Sequence, residues 1–403
     1  MRVAFFTDSF HEVNGVAHTS RMLAATAKRL GVPFLVVCAG EPDPASGRLQ
    51  LPRGSAAFAV ERDLFYDPLF YRHRAEAEAR IREFAPDVIH VTGPSDVGTI
   101  GVVLAKKLKI PLVASWHTNL HEYAGERLPA FVPNFLREAA VSASFWALSR
   151  FYQLADVVMA PNAELLELVE QASGRAGFLM RRGVDTNLFD PAKRTPARRP
   201  LRIGTVGRLS VEKNIHFLTT LERYLLAQGV DDFRIVVIGD GGERAKLEQD
   251  LQHGEFTGVL RGEALAQAYA DLDLFVFPSR TDTFGNVVLE ALASGVPAVV
   301  TASGGPKFIV QSGESGFIAA DDEAFLRWTH SLATDPNLRR RMAVQAREQA
   351  IGTTWEKVFE EIEGAYRAAM LRRAAPPRTR RVRGTHPVAV PTPKTPDSAE
   401  SAG

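Results

Sequence analysis

The sequence predicts an α/β protein built as two tandem halves, each a mainly parallel sheet wrapped by helices. Three observations predict it. Short apolar runs alternate with helical patterns from one end of the chain to the other. A proline-rich stretch without periodicity interrupts that rhythm near the middle. Polar, glycine-containing loops follow several of the apolar runs, and open α/β sheets place ligands beyond the carboxyl ends of their strands. At 403 residues the chain is also too long for one ordinary core.

Strands are expected at 3–6, 34–38, 88–91, 112–115 and 157–160, with helices such as 19–30 and 72–84 between them. The segment 190–200 carries three prolines and reads as a linker. The rhythm resumes with strands at 203–206, 234–238, 274–277 and 298–301. The expected organisation is a first domain at 1–189, the linker at 190–200 and a second domain at 201–352. Thr353 with Glu356 three positions later suggests a capping box that opens an amphipathic helix over 353–373. In it Trp355, Val358, Phe359, Ile362 and Tyr366 share one face that packs back toward the first domain. From Ala374 the composition turns to Pro, Ser, Thr and Arg, and a disordered basic tail is expected over 374–403.

Composition narrows the classes of function. Hydrophobic content of 45% and charged content of 24% are globular values. A net charge of +1 gives no footprint for nucleic acid. The single cysteine, Cys38, lies in an apolar run and suits a buried small hydrophobe in a cytoplasmic protein. No stretch approaches the roughly 20 apolar residues of a membrane span, so a soluble or membrane-surface protein is expected.

Chemistry concentrates in the loops. Residues 278–285, Pro-Ser-Arg-Thr-Asp-Thr-Phe-Gly, leave a buried strand and enter a short helix whose end is marked by Gly295. Free amides and the positive dipole end of that helix suit a phosphate. Asp282 and Glu290, eight positions apart, flank the helix start and can accept hydrogen bonds from sugar hydroxyls. The loop 207–214 sets Arg208 and Lys213 at another strand's carboxyl end, where two cations can neutralise a diphosphate. In the first half, Asn14-Gly15 allows an unusual turn, and a missing side chain at Gly15 lets a phosphate approach the amides that follow. The G-x-G-x-x-G fingerprint is absent there. His117 follows the strand at 112–115, where its ring, or neighbouring carbonyls, can meet a hydroxyl. His121 and Glu122 beyond it match no zinc spacing. The segment 259–262 can edge a base pocket.

Taken together, Asn14-Gly15-Val16, His117-Thr118, Gly207-Arg208-Leu209 with Glu212-Lys213-Asn214, Gly239-Asp240-Gly241, Pro278-Ser279 and Thr283-Phe284-Gly285 through Glu290-Ala291 resemble the family 4 retaining glycosyltransferases. The pieces occur in family order over about residues 1–370. The resemblance implies the GT-B fold, two facing Rossmann-like domains with mainly parallel sheets. It implies transfer of a hexose from a UDP- or GDP-sugar with retention and no metal cofactor. Arg208 and Lys213 would then clamp the diphosphate, Glu290 the ribose, and Asp282 the donor hexose. Amides around Phe284, Gly285, Asn286 and Val287 would cradle phosphate and sugar, with Gly15 near the phosphates and His117 beside the reacting sugar. The family pattern carries two glutamates eight apart, whereas the first here is Asp282, one methylene shorter. The stretch 119–123 and the block 281–285 look most like enzymes that glycosylate membrane lipids, including sulfoquinovosyl-diacylglycerol synthases and lipid mannosyltransferases. The aromatic and basic segment 131–152 suits a bilayer surface or, equally, an ordinary partly buried helix pair; partners would be a nucleotide sugar, a lipid or saccharide acceptor and a peripheral membrane contact. An epimerase on the same fold, or a sugar-nucleotide-binding protein without turnover, is the alternative reading.

Overall fold

The computed structural model describes residues 1–12, 14–61, 64–117, 134–196 and 200–374. Fifteen strands and twelve helices are described. The strands are β1 (Val3–Thr7), β2 (Phe34–Ala39), β3 (Leu49–Leu51), β4 (Phe58–Glu61), β5 (Leu64–Tyr66), β6 (Val88–Val91), β7 (Leu112–Ser115), β8 (Val157–Ala160), β9 (Ala176–Leu179), β10 (Leu201–Val206), β11 (Phe233–Ile238), β12 (Gly254–Gly258), β13 (Leu274–Phe277), β14 (Ala298–Thr301) and β15 (Gly316–Ala319). The helices are α1 (Gly15–Arg29), α2 (Arg74–Phe84), α3 (Asp96–Leu108), α4 (Asn134–Tyr152), α5 (Ala163–Ser173), α6 (Phe217–Ala227), α7 (Arg244–Asp250), α8 (Gly262–Ala270), α9 (Asn286–Ala293), α10 (Asp322–Thr334), α11 (Pro336–Ile351) and α12 (Trp355–Ala374).

Seven parallel strands form the first sheet in the order β3-β2-β1-β6-β7-β8-β9, and six form the second in the order β12-β11-β10-β13-β14-β15. Every strand expected from the sequence is present, because each is an apolar run buried on both faces: β6, β7, β8, β13 and β14 are buried throughout. The strand order reverses between β1 and β6 and again between β10 and β13. Those two switch points are where a doubly wound sheet leaves a crevice at its carboxyl edge. The loops after β1, β10 and β13 are the ones singled out for their chemistry.

Several expectations need correction. Four strands, β3, β9, β12 and β15, and the antiparallel β4–β5 hairpin were not anticipated. All four form sheet edges, and β9 and β12 are only half-buried along their length. The capping box is shifted by one residue. Thr354, not Thr353, precedes the helix and accepts from Lys357 N, while the Thr353 hydroxyl bonds back to Gln349 O. The stretch expected as a linker is strapped down: Arg194 donates to Leu272 O at 2.7 Å and pairs with Asp273, and Lys193 pairs with Glu263.

The apolar face of α12 crosses to the first sheet, where Trp355, Val358, Phe359, Ile362 and Tyr366 pack with Val3, Phe5, Val88, Val113 and Val157. Cys38 is fully buried, and burial pushes its thiol pKa up to about 12. Thr118, Asn119, His121, Glu122, Tyr123, residues 131–133 and the tail from 375 lie outside the described residues.

Candidate donor site between the two sheets

A cavity of about 1360 Å³ opens between the carboxyl edges of the two sheets, lined by Gly15, His117, Arg208, Lys213, Asp282 and residues 284–287 and 290. Every site residue singled out from the sequence therefore faces one space. Cross-cleft bonds draw its walls together. Asn162, the N-cap of α5, donates to Thr283 O at 3.1 Å; the Thr283 hydroxyl donates to His117 O at 3.3 Å; Lys307 pairs with Glu164 at 2.6 Å.

The second-sheet wall carries the charge. The N-cap of α9 is Gly285 at φ 92°, a left-handed conformation that favours glycine, and no side chain caps the helix start. The first amides of α9 are thus left for a ligand, and the helix dipole adds to their pull on an anion. Lys213 Nζ donates to Asp282 Oδ1 at 2.7 Å, so the expected phosphate clamp and the expected sugar acceptor meet directly. Asp282 Oδ2 and Asn286 Oδ1 are buried without a hydrogen-bond partner among the described residues. Buried acceptors left this way are costly, and both residues line the cleft. Glu290 receives the Tyr269 hydroxyl at 2.9 Å, and burial raises its pKa to about 7. The segment 259–262 lines the same cavity.

The first-sheet wall is quieter. Asn14 is an extended N-cap whose side chain accepts from Ala17 N, and Gly15 begins α1 in ordinary helical conformation. The unusual turn expected at Asn14-Gly15 does not occur. Gly15 instead provides room: a Cβ there would meet only Asn286 Nδ2, at 3.9 Å. The His117 ring is buried and turned into the sheet. Its Nδ1 lies 3.0 Å from Arg182 Nη2, and its Nε2 lies 2.7 Å from Ser115 Oγ. A guanidinium only donates, so Nδ1 must accept and Nε2 carries the proton. The order then runs on: Nε2–H to Ser115 Oγ, Ser115 O–H to His90 Nε2 at 2.8 Å, and His90 Nδ1–H to Tyr366 Oη at 2.8 Å. Burial, with Arg182 next, holds the His117 pKa well below the usual histidine range, and burial drives that of His90 to about 3. Both ring nitrogens of His117 are occupied, so the group it presents to the cleft is its backbone carbonyl.

Sequence reasoning missed Asp8, Asn162 and Arg182. Asp8 directly follows β1 and lines the cavity, accepts from Thr92 at 3.3 Å, and burial lifts its pKa to about 6. Arg182 is buried on the loop after β9. The signals lay in separate segments: Asn162 meets Thr283 across 121 positions and Arg182 meets His117 across 65.

Comparison with known proteins agrees with this geometry. Residues 13–188 match the profile of Glycosyltransferase Family 4, and residues 200–335 that of Glycosyl transferases group 1. A GDP-mannose-dependent alpha-mannosyltransferase of Mycolicibacterium smegmatis is 33% identical over 394 residues, covering 93% of this chain and 99% of the relative. A protein of the same description from Mycobacterium tuberculosis is 31% identical over 391 residues, covering 93% and 98%. The sulfoquinovosyl transferase SQD2 of Arabidopsis thaliana is 29% identical over 395 residues, covering 92% of this chain and 74% of the relative. Among solved structures, a Rickettsia africae glycosyltransferase superposes with TM-score 0.71 at 14% identity, covering 92% of this chain and 98% of that one. Anabaena HepE in complex with UDP gives 0.70 at 19% identity, covering 90% and 99%. Two facing parallel α/β sheets, a shared cleft and relatives matched along nearly their whole length lead to one conclusion: this chain belongs to the family 4 glycosyltransferases of GT-B fold and uses a nucleotide-sugar donor.

Proposed function

We propose that this glycosyltransferase moves mannose from GDP-mannose, with retention and without a metal cofactor, to a lipid or glycolipid acceptor at a membrane surface. The observation that carries the donor reading is the uncapped start of α9, set beside the Lys213–Asp282 pair and the two unsatisfied acceptors Asp282 Oδ2 and Asn286 Oδ1. The names of the two relatives matched along nearly their full length support the choice of donor. An alpha-monoglucosyldiacylglycerol synthase of Streptococcus pneumoniae, 25% identical over 323 residues, supports a lipid acceptor. On α4, Trp146 is 61% exposed with the Arg150 guanidinium over its ring at 5.2 Å, a pair suited to a headgroup layer. Among the described residues no helix is long and apolar enough to cross a membrane.

The chemistry follows from the walls. Arg208 and Lys213 hold the diphosphate, the α9 amides its oxygens, Glu290 the ribose hydroxyls, and Asp282 those of the hexose. As the bond from the anomeric carbon to the diphosphate opens, negative charge grows on the leaving oxygen. Fixed cations and amides in a closed cleft stabilise that charge without reorganising. The acceptor hydroxyl then bonds to the anomeric carbon on the same face and passes its proton to the leaving phosphate. Gly15 keeps room for the phosphates, and His117 O borders the sugar.

The test is a thermal-shift series over GDP-, UDP- and ADP-sugars, followed by a transfer assay with extracted membrane lipids. The expected result is the largest shift with GDP-mannose and radiolabelled mannose appearing in the lipid fraction. Conversion of GDP-mannose to an epimer without any acceptor would overturn the reading.

A further inference from the structure

Arg182 is an unusual cation. Only 4% of it is exposed, yet among the described residues it has no carboxylate partner. Its bonds run to Met180 O at 2.7 Å, Arg181 O at 3.4 Å and His117 Nδ1 at 3.0 Å. Its guanidinium lies over the Phe284 ring, 5.6 Å from the centroid, and it lines the cavity. Phe284 directly precedes the uncapped start of α9.

Burying a guanidinium without an anion is expensive, because neutral acceptors replace only part of its hydration. Among the described residues, the groups it bonds to or packs on carry no negative charge. His117 and His18 are both held neutral by burial, with Arg182 contributing to each shift. Lys213, by contrast, already has Asp282. The cleft wall therefore carries, beside Phe284, a buried positive charge that no carboxylate among the described residues pairs with.

We propose that Arg182 is a further substrate-binding cation, taking a phosphate oxygen of the bound substrate opposite the Arg208–Lys213 side. This rests on the reading that the donor diphosphate lies at the start of α9. The phosphate can come from the distal position of the nucleotide diphosphate or from an acceptor that carries one.

Binding of inorganic pyrophosphate, GDP, GMP and dodecyl phosphate to Arg182→Gln and Arg182→Lys, measured by calorimetry beside melting temperatures, tests it. Glutamine keeps a donor for His117 Nδ1 but removes the charge, whereas lysine keeps the charge. The expected result is at least tenfold weaker pyrophosphate and GDP binding in Arg182→Gln, little change for GMP, and recovery in Arg182→Lys. A loss confined to dodecyl phosphate assigns the anion to the acceptor. Unchanged affinity for all four ligands in a folded Arg182→Gln overturns the proposal, as does a loss that lysine does not recover. Should the glutamine variant not fold, Arg182→Lys alone decides: pyrophosphate affinity within about threefold of wild type supports the role, and a tenfold loss contradicts it. Lys213→Ala run in parallel separates the two readings, since intact pyrophosphate binding there would remove the α9 site and leave the Arg182 result standing.

Discussion

The two walls of the cleft solve different problems with different materials. The second-sheet wall offers fixed charge, from Arg208 and Lys213, beside an α9 start that no side chain caps and two buried acceptors without a partner among the described residues. The first-sheet wall is internally satisfied. His117, Ser115, His90 and Tyr366 complete one another in a buried chain, and Gly15 contributes space. A wall that must seize a charged, invariant group is best left unsatisfied until the ligand arrives. In the proposed function the first-sheet wall shapes the acceptor, a task that suits a rigid wall. Arg182 is the exception, a buried charge on the quiet side with no carboxylate partner among the described residues.

Breaking the charged wall should have the largest effect. A charge-assisted hydrogen bond is worth roughly 1.5–3 kcal/mol, so Lys213→Ala or Arg208→Ala should lower turnover about tenfold to a hundredfold with melting temperature preserved. Initial-rate kinetics beside a thermal melt check this, and near-normal turnover in both would erase the contrast between the walls.

The quiet wall is breached by volume rather than charge. Gly15→Leu places a side chain toward Asn286 with no close protein contact to strain the fold. It should weaken GDP-mannose binding roughly tenfold while leaving thermal stability near wild type. Tight donor binding in this variant would show that the two loops do not enclose the phosphates.

Glu290 sharpens the comparison through pH. In the proposed role its carboxylate form accepts the ribose hydroxyls, and its pKa is raised to about 7 by burial. Donor affinity should therefore fall roughly fivefold to tenfold between pH 8 and pH 6, and Glu290→Gln should flatten that profile. The sign on stability is opposite. A carboxyl whose folded pKa lies above its ordinary value of 4.5 contributes stability at low pH that is lost as pH rises toward 7. Glu290→Gln should thus melt a few degrees above wild type at pH 8 while binding donor more weakly. A variant less stable than wild type at that pH would contradict the burial argument.

The smallest effect belongs to the bonds that join the walls. Asn162→Ala removes both an N-cap and the bond to Thr283 O, which together are worth about 1–2 kcal/mol. A melting temperature lower by a few degrees and a severalfold higher donor KM are expected. An unchanged KM would show that closure does not depend on this link.

Most of the fold was legible because parallel strands buried on both faces read as apolar runs: β6, β7, β8, β13 and β14 lie where composition placed them. The strands it hid are short, half-buried or rich in glycine, such as β12, Gly254–Gly258. The charged wall was legible for a related reason. Asp282, Glu290 and Phe284 through Val287 sit within one strand–loop–helix passage, so their spacing carries their geometry. The quiet wall was not. His117 looked available to a hydroxyl, and only the positions of Ser115 and Arg182 show that its ring is committed elsewhere. Asp8 gives no local sign either, since what raises its pKa is burial created by the folded sheet.

The most direct measurement is calorimetric titration of GDP into wild type and Lys213→Ala at pH 8. Binding weakened tenfold or more, with enthalpy lost and the fold intact by melting, is the predicted outcome. Equal affinity for the two proteins would mean that the diphosphate rests somewhere other than the wall where Lys213, Asp282 and the first turn of α9 converge.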